Sequence, residues 1–275
     1  MGSRTHIITH RGLDPSRKPY FAESSREAFA DQLSRGYGLE FDPLWHNNRF
    51  IVAHDEDFSR ITQNGCHSIS LTELLALIGQ KQPNISALHL KHRLQEPVML
   101  DRLLIELEAI DTSRLIIFDV TTDTARYIRK KKPSLILAPS VAHSYDIERF
   151  NSVTGGTLLS AEDVLENCDL FDWVWLDEWD RVDRDGKQKT FYTKETLTLF
   201  HDAGLNIGLV TPELHATSPH LLGGEAHEDA KDYEILTKRI REILELEPDA
   251  VCTDYPDAVR TLAAQISLQK IEKKT

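Results

Sequence analysis

The chain has 275 residues, of which 40% are hydrophobic and 28% are charged, and these proportions are typical of a soluble globular protein. Apolar stretches stay well short of the roughly 20 residues that a membrane-spanning helix needs, so no integral membrane segment is expected. The formal net charge of -12 argues against a nucleic-acid partner, because nucleic-acid phosphates require a basic protein face.

The cysteines and the N-terminal residues indicate the redox state of the thiols and the cellular location. Cys66, Cys168 and Cys252 are far apart and odd in number, and no CxxC spacing occurs. Neither a disulfide framework nor a cysteine metal site is therefore expected. The opening stretch MGSRTHIITHRG lacks the basic and then apolar pattern of a signal peptide. We predict a cytoplasmic location with reduced thiols.

Short β-branched apolar runs alternate with amphipathic helical patterns along the chain. The first pair is HIIT and then SSREAFADQLSRG, which closes on Gly36, a residue type that commonly ends helices. The later strand runs are GLEFDPL, NISALHLK, RLIIFDV, LILAPSV, DWVWLDE, NIGLVT and DAVCTD. One further run, RFIVAHD, follows the second strand at the distance of a hairpin.

These eight strand–helix units predict a single (β/α)8 barrel of the TIM type with an extra hairpin strand after strand 2. Alternation implies parallel strands and crossover helices, and eight units in roughly 250 residues suit this barrel. A doubly wound open sheet is the alternative, but the glycine-rich phosphate loop that would favour it is absent. Because no linker divides the sequence, we expect residues 1–275 to form one domain.

Ionisable residues collect at the predicted carboxyl ends of the strands, where barrel active sites lie. They are His10, Arg11, Glu40, Asp42, His54, His89, Lys91, Asp119, Asp177 and Glu178. Glu40 and Asp42 are two residues apart on one strand, so their carboxylates would point the same way. A solvated rim would explain any single member of this set, but it explains the whole set poorly.

The chemistry of the set indicates metal-assisted cleavage of a phosphate diester. Two close carboxylates can bind a hard divalent cation, which would polarise a phosphoryl oxygen. Arg11 and Lys91 would hold the anionic oxygens. His10 and His54 titrate near neutrality, so one can accept a proton while the other supplies one.

The same residues resemble the glycerophosphodiester phosphodiesterase family. HRG, ESSREAF, GLEFDP and VAHDEDFSRIT resemble its motifs HRG, ENTxxAF, GxxxExDV and xxxHDxxxxRxT, and DAVCTDYPDAV resembles its last strand and turn. The likeness runs from Thr5 to about Thr261; it is strong in the first sixty residues and patchy in the middle. It implies a TIM barrel and a phosphoric diester hydrolase of lipid metabolism.

The resemblance also implies roles at the matching positions. These are an acid/base pair, two metal ligands, two phosphate-binding residues and one supporting residue: His10 and His54; Glu40 and Asp42; Arg11 and Lys91; and Glu23. The hydroxyl next to the phosphoester would attack phosphorus, and water would open the resulting cyclic phosphate to glycerol 3-phosphate. The substrate would be a small-molecule glycerophosphodiester.

Three features depart from the family pattern. The family's Glu-x-Lys at the end of strand 3 is replaced by HLK, so the third ligand of one divalent ion would be His89. An imidazole would shift the metal preference from Mg or Ca toward Mn, Co or Zn, and protonation near its ordinary pKa of about 6.5 would expel the metal. Asp119, Asp177 or Glu178 could supply a compensating carboxylate.

The other two departures concern the substrate. The segment between His54 and His89 is short, and LVTPEL with the loop HATSPHLLGGEAHED replaces the family's WTVN. Two hypotheses therefore remain open. The chain is either a metal-dependent phosphodiester hydrolase or a non-catalytic relative that binds a phospho-ligand with a weakened metal site.

Overall fold

Parallel strands form the centre of the molecule. The structure is a computed structural model that describes residues 5–54, 69–81, 85–179, 181–183, 185–214 and 227–272. The strands in these ranges are β1 (His6–His10), β2 (Gly38–Phe41), β3 (Pro43–His46), β4 (Arg49–Val52), β5 (Ser86–His89), β6 (Leu115–Phe118), β7 (Ile136–Ala138), β8 (Ser140–Val141), β9 (Leu158–Leu159), β10 (Trp173–Leu176), β11 (Asn206–Val210) and β12 (Ala250–Thr253).

The parallel sheet closes into a barrel. Its strand order is β7-β6-β5-β2-β1-β12-β11-β10-β8-β9, and only Pro139 separates the strands β7 and β8 near its two ends. The Trp175 amide donates to the Pro139 carbonyl at 3.0 Å, and the Val120 amide donates to the Ala138 carbonyl at 3.2 Å. Of the ten strands, β7 and β8 form one barrel strand and β9 lies outside, which leaves eight. The predicted TIM-type barrel is confirmed.

The predicted hairpin after the second strand is also confirmed. Strands β3 and β4 pair antiparallel, with Pro43 opposite Val52 and His46 opposite Arg49. Asn47 and Asn48 form the turn with φ of +47° and +62°, a left-handed conformation that asparagine tolerates. The hairpin therefore returns the chain toward the end of β2, where the carboxylate pair lies.

The helices surround the barrel. Those of the described residues are α1 (Arg26–Ser34), α2 (Leu71–Lys81), α3 (Pro97–Leu107), α4 (Thr122–Lys131), α5 (Ser144–Phe150), α6 (Ala161–Glu166), α7 (Lys194–Asp202), α8 (Tyr233–Glu245) and α9 (Pro256–Glu272). Helix α1 begins at Ser25, whose side chain accepts from the Ala28 amide, and the chain leaves it at Gly36 with φ of +81°. Among the described residues, no helix is both long and apolar enough to cross a bilayer.

Two hydrophobic layers hold the strands in place. Ile8, Ala87, Ile116, Phe118 and Trp175 belong to a buried cluster contributed mainly by the barrel strands, and a larger cluster joins the strands to the helices. Because both faces are buried, the strands read as continuous apolar runs. All parallel strands end at the same rim, which we call the mouth. The ionisable residues at the strand ends therefore meet there.

Candidate active site

A cavity of about 600 Å³ opens at the mouth. Eight of the ten strand-end residues selected from the sequence line it: His10, Arg11, Glu40, His54, His89, Lys91, Asp119 and Asp177. Asp42 lies among them with only 1% of its surface exposed. The structure therefore brings together residues that are up to 167 positions apart in the sequence (His10 to Asp177).

A left-handed turn at the end of β1 positions Arg11. Arg11 and Gly12 have φ of +53° and +72°, and a Cβ at Gly12 would lie 3.0 Å from the Phe29 ring. The HRG sequence thus places glycine where both conformation and space favour it. The turned Arg11 amide lies 3.3 Å from Glu40 Oε2, and the Arg11 guanidinium donates to Glu23 Oε2 at 3.1 Å.

Asp42 is surrounded by cationic groups from three parts of the chain. Its Oδ1 lies 2.9 Å from His89 Nδ1 and 3.3 Å from Lys91 Nζ, and its Oδ2 lies 3.5 Å from Arg11 Nε. Burial by itself would raise the pKa of Asp42, but Lys91, His89 and Arg11 together hold that pKa well below its usual range. Asp42 is therefore ionised throughout the neutral range.

Glu40 has the opposite behaviour. Burial, and then the negative charge of neighbouring Asp42, raises the pKa of Glu40 to about 8. Two carboxylates that share a site commonly separate in this way, because the second charge is costly beside the first. Without a metal ion, Glu40 is therefore mostly protonated at neutral pH.

His89 bridges two carboxylates. Its Nδ1 faces Asp42, and its Nε2 lies 3.4 Å from Asp119 Oδ2. Burial opposes the charged form, yet the hydrogen bonds to Asp119 and Asp42 raise the pKa of His89 to about 9. The expectation of an ordinary histidine pKa is thus wrong, because these two acids stabilise the imidazolium.

His10 contacts Asp254, a carboxylate that the sequence did not predict as a site residue. Its Nδ1 lies 3.0 Å from Asp254 Oδ1, at the end of β12. Burial, and then the charge of Arg11, holds the pKa of His10 well below its usual range, so the ring is neutral at neutral pH. With the proton on Nδ1 facing Asp254, Nε2 becomes the basic nitrogen of the ring.

A second buried carboxylate, Glu213, supports Asp254. Glu213 Oε1 accepts from the Asp254 amide at 3.0 Å and from the hydroxyls of Thr211 and Thr253 at 2.7 and 2.6 Å. Burial and the charge of Asp254 raise the pKa of Glu213 to about 7. In the sequence, these two acids were indicated only by their positions: Glu213 follows β11 and Asp254 follows β12.

His54 ends the hairpin and lines the cavity. Its carbonyl accepts from Lys91 Nζ at 2.6 Å, and the preceding Ala53 amide donates to the Asp42 carbonyl at 3.0 Å. These contacts hold the hairpin against β2 and the end of β5. The segment that follows, residues 55–68 including Cys66, lies outside the described residues, as does most of the unusual loop, residues 215–226.

The other acids suggested as compensating ligands lie in different surroundings. Glu178 accepts from Arg239 at 2.5 Å and from the Phe191 amide at 2.6 Å, and it does not line the cavity. Asp177 lines the cavity, but it follows β10 rather than the strands that carry the carboxylate pair. Asp119 is the acid that contacts His89.

Glu40, Asp42 and His89 form a possible metal site. One ligand atom from each lies within 4.8 Å of the others. Asp42 Oδ2 is buried and accepts no hydrogen bond within the described residues. Two carboxylates and one imidazole are an accepted donor set for a divalent ion. The residues present therefore fit a metal ion, provided that Glu40 and His89 lose their protons.

Replacing Asp254 with Asn should move the ring proton of His10. The Asn amide group can donate to Nδ1, which would place the proton on Nε2 and remove the basic nitrogen. Nitrogen chemical shifts of the ring, measured by NMR, distinguish the two tautomers. Asp257→Asn is the matched control, because Asp257 pairs with Arg35 and Tyr37 on the outer surface. An unchanged tautomer in Asp254→Asn would remove Asp254 from this role.

No family profile and no curated protein sequence matches the chain. Solved structures are similar to it. A Galdieria sulphuraria protein assigned as a glycerophosphodiester phosphodiesterase has a TM-score of 0.65 and 17% identity, covering 94% of this chain and 98% of that one. A glycerophosphoryl diester phosphodiesterase of Parabacteroides distasonis has a TM-score of 0.61 and 16% identity, covering 97% and 88%.

A third similar structure was solved with a bound product. This Oleispira antarctica phosphodiesterase, in complex with sn-glycerol-3-phosphate, has a TM-score of 0.58 and 14% identity, covering 94% of this chain and 96% of that one. A dihydropteroate synthase of Coxiella burnetii shares the fold more distantly, with a TM-score of 0.53 and 11% identity. At these identities the comparisons establish the fold. The chain has the barrel fold of solved glycerophosphodiester phosphodiesterases, as the motifs predicted.

Proposed function

We propose that this protein hydrolyses a glycerophosphodiester to an alcohol and glycerol 3-phosphate. The observation that carries the proposal is the shared cavity: His10, His54, Arg11 and Lys91 line it together with Glu40. Each of these residue types has a separate task in diester cleavage. The similar fold of a phosphodiesterase with bound sn-glycerol-3-phosphate supports the same reaction class.

Arg11 and Lys91 would bind the phosphate. Both side chains lie against Asp42 and both line the cavity, so they are held in place while presenting positive charge to it. Glu23 supports Arg11 from the rim through a 3.1 Å contact. Such preorganised cations are most effective in a buried site, where little reorganisation is needed as charge develops on the phosphoryl oxygens.

The two histidines would move the protons. We assign His10 as the first base, because Asp254 leaves its Nε2 basic, and His54 as the acid. The substrate hydroxyl next to the phosphoester gives its proton to His10 and attacks phosphorus. The bond from phosphorus to the leaving alcohol breaks, and His54 protonates that alcohol. Water then opens the cyclic phosphate with the two roles reversed.

Glu40, Asp42 and His89 would hold one divalent ion. When bound, the ion supplies a positive charge that polarises a phosphoryl oxygen. Because one ligand is an imidazole, we propose Mn, Co or Zn ahead of Mg or Ca. Arg11 and Lys91, which lie beside Asp42, would hold the phosphate next to this ion.

One observation favours a second candidate. In the structure His89 bridges Asp42 and Asp119. The imidazolium of His89 thus supplies positive charge to the carboxylate pair without a metal ion. A relative that binds a phosphorylated ligand without cleaving it would use the site in this state. Such a protein would bind glycerol 3-phosphate but would not turn over a diester with any metal.

Replacing His10 or His54 with Ala should lower kcat for the true diester by about 10²–10⁴-fold, the usual contribution of acid–base catalysis. The assay would use glycerophosphocholine and related head groups with a panel of Mn, Co, Zn and Mg. His201→Ala is the control, since His201 is exposed on α7 and pairs with Asp249. Near-normal kcat in either site variant would exclude that histidine from proton transfer. No turnover by the wild-type protein with any metal would favour the second candidate.

Metal affinity should increase with pH and level off only above about pH 9. A metal ion must displace protons from Glu40, whose pKa is about 8, and from His89, whose pKa is about 9. Below these values protons compete with the ion. Calorimetric titration of Mn in buffers of different ionisation enthalpy would count the protons released.

His89→Glu is the matched variant for this measurement. It restores a carboxylate at the third position, so it should bind Mg or Ca better and prefer Mn less than wild type does. Metal affinity that does not vary between about pH 6 and 9, or identical metal preference in the two proteins, would show that His89 is not a ligand.

A further inference from the structure

Three contacts fix the imidazole ring of His89. One face of the ring stacks on Phe118, with the ring centroids 4.7 Å apart and the planes 15° from parallel. Nδ1 lies 2.9 Å from Asp42 Oδ1, and Nε2 lies 3.4 Å from Asp119 Oδ2. The nitrogen beside the carboxylate pair is therefore Nδ1, and the other nitrogen faces Asp119.

Asp119 has a backbone conformation that most residues avoid. It directly follows β6 with φ of +67°, in the left-handed region, where a residue other than glycine is uncommon. It is also buried, with 5% of its surface exposed. Such a conformation persists only where the surrounding structure holds it, and it is a reason to ask what the side chain does there.

The side chain of Gln95 holds this backbone. Its amide group donates to the Asp119 carbonyl at 2.7 Å and to the Leu90 carbonyl at 3.0 Å. Its oxygen accepts from the amide and the hydroxyl of Thr121 at 3.2 and 3.1 Å. One side chain thus connects the residue that follows His89 to the residues on either side of the turn at Asp119, so the ring and the carboxylate are fixed relative to each other.

This geometry is the one that a metal-binding histidine requires. A ligating imidazole keeps one N–H, on the nitrogen that does not bind the ion, and usually donates it to a carboxylate. That partner fixes the ring orientation and makes the ligating nitrogen more basic. Asp119 lies at Nε2, so Nδ1 is the nitrogen left to bind an ion beside Asp42. Asp119 would therefore act on the ion through His89.

We propose that Asp119, held by Gln95, is a positioning residue that orients His89 for metal binding through Nδ1. The inference rests on the proposed function, because Glu40, Asp42 and His89 must hold the ion. A glutamate at position 89 would need no such partner, since a carboxylate has no ring N–H. Asp119 thus compensates for the exchange of a carboxylate for an imidazole at this position.

The affinity for Mn of two Asp119 variants tests the proposal. Asp119→Gly removes the carboxylate and tolerates the left-handed backbone, whereas Asp119→Asn keeps an acceptor oxygen but loses the charge. Calorimetry with Mn alone, without substrate, should show about 10–100-fold weaker binding in Asp119→Gly and a smaller loss in Asp119→Asn. Asp123→Asn is the matched control, because Asp123 is exposed on α4 and pairs with Arg126. Unchanged or tighter binding in Asp119→Gly would overturn the proposal.

The same replacement in a His89→Glu background separates positioning from direct ligation. With no ring N–H at position 89, Asp119→Gly should change Mn affinity by about twofold at most. An equal loss in both backgrounds would overturn the positioning role and indicate that Asp119 contacts the ion itself. Thermal midpoints would show whether each variant folds, and Asp119→Asn supports the same comparison if Asp119→Gly does not fold.

Co-loaded protein provides a spectroscopic readout. The Nε2–H proton of His89 should give a strongly shifted NMR signal that exchanges slowly with water in the wild type, because Asp119 accepts its hydrogen bond. This signal should broaden or disappear in Asp119→Gly and be absent in His89→Glu. A signal that persists unchanged in Asp119→Gly would overturn the proposal.

The outcomes separate this inference from the proposed activity. Weaker Mn binding in Asp119→Gly, while the wild type hydrolyses no diester, would retain the positioning role and overturn the activity. Hydrolysis of glycerophosphocholine by the wild type, with equal Mn affinity in the wild type and Asp119→Gly, would overturn the positioning role and retain the activity. Absence of Mn and Co binding by the wild type would overturn the positioning role together with the metal-dependent route.

Discussion

The site depends on the compensation of one buried charge, the carboxylate of Asp42. A charge this deeply buried is costly unless cations compensate it, and Arg11, His89 and Lys91 do so from separate elements. The contact with Asp42 in turn orients each of these three side chains. The barrel supplies the geometry, because β1, β2 and β5 are neighbours in the sheet although their residues are distant in the chain. Removing Asp42 would therefore disorganise the proposed phosphate-binding residues as well as the possible metal site.

The same electrostatic arrangement occurs twice in the site. Glu40 beside Asp42, and Glu213 near Asp254, are each a buried carboxylate with a pKa raised toward neutrality by burial and by a neighbouring acid. The first arrangement faces the possible metal site and the second stands behind His10. In both, the group with the raised pKa can gain or lose a proton near neutral pH.

The sequence predicted the barrel and the first half of the site because their signals are local. Strand runs, the HRG turn and the spacing of Glu40 and Asp42 can all be read within a few residues. Contacts made by closing the barrel have no such signal: His10 and Asp254 are 244 positions apart, and TDYP resembled only a terminal turn. The raised pKa of His89 was missed for the same reason, since it depends on Asp119 from the next strand. Helix α5 and strand β9 are too short to show a periodic pattern.

Product analysis in isotopically labelled water tests the central claim most directly. Metal-loaded wild-type protein should convert glycerophosphocholine into choline without label and glycerol 3-phosphate that carries the label on phosphorus. A cyclic glycerol phosphate should appear transiently by phosphorus NMR, because the substrate hydroxyl attacks before water does. Release of phosphocholine, label in the choline, or no turnover with any metal that binds the site would contradict the account.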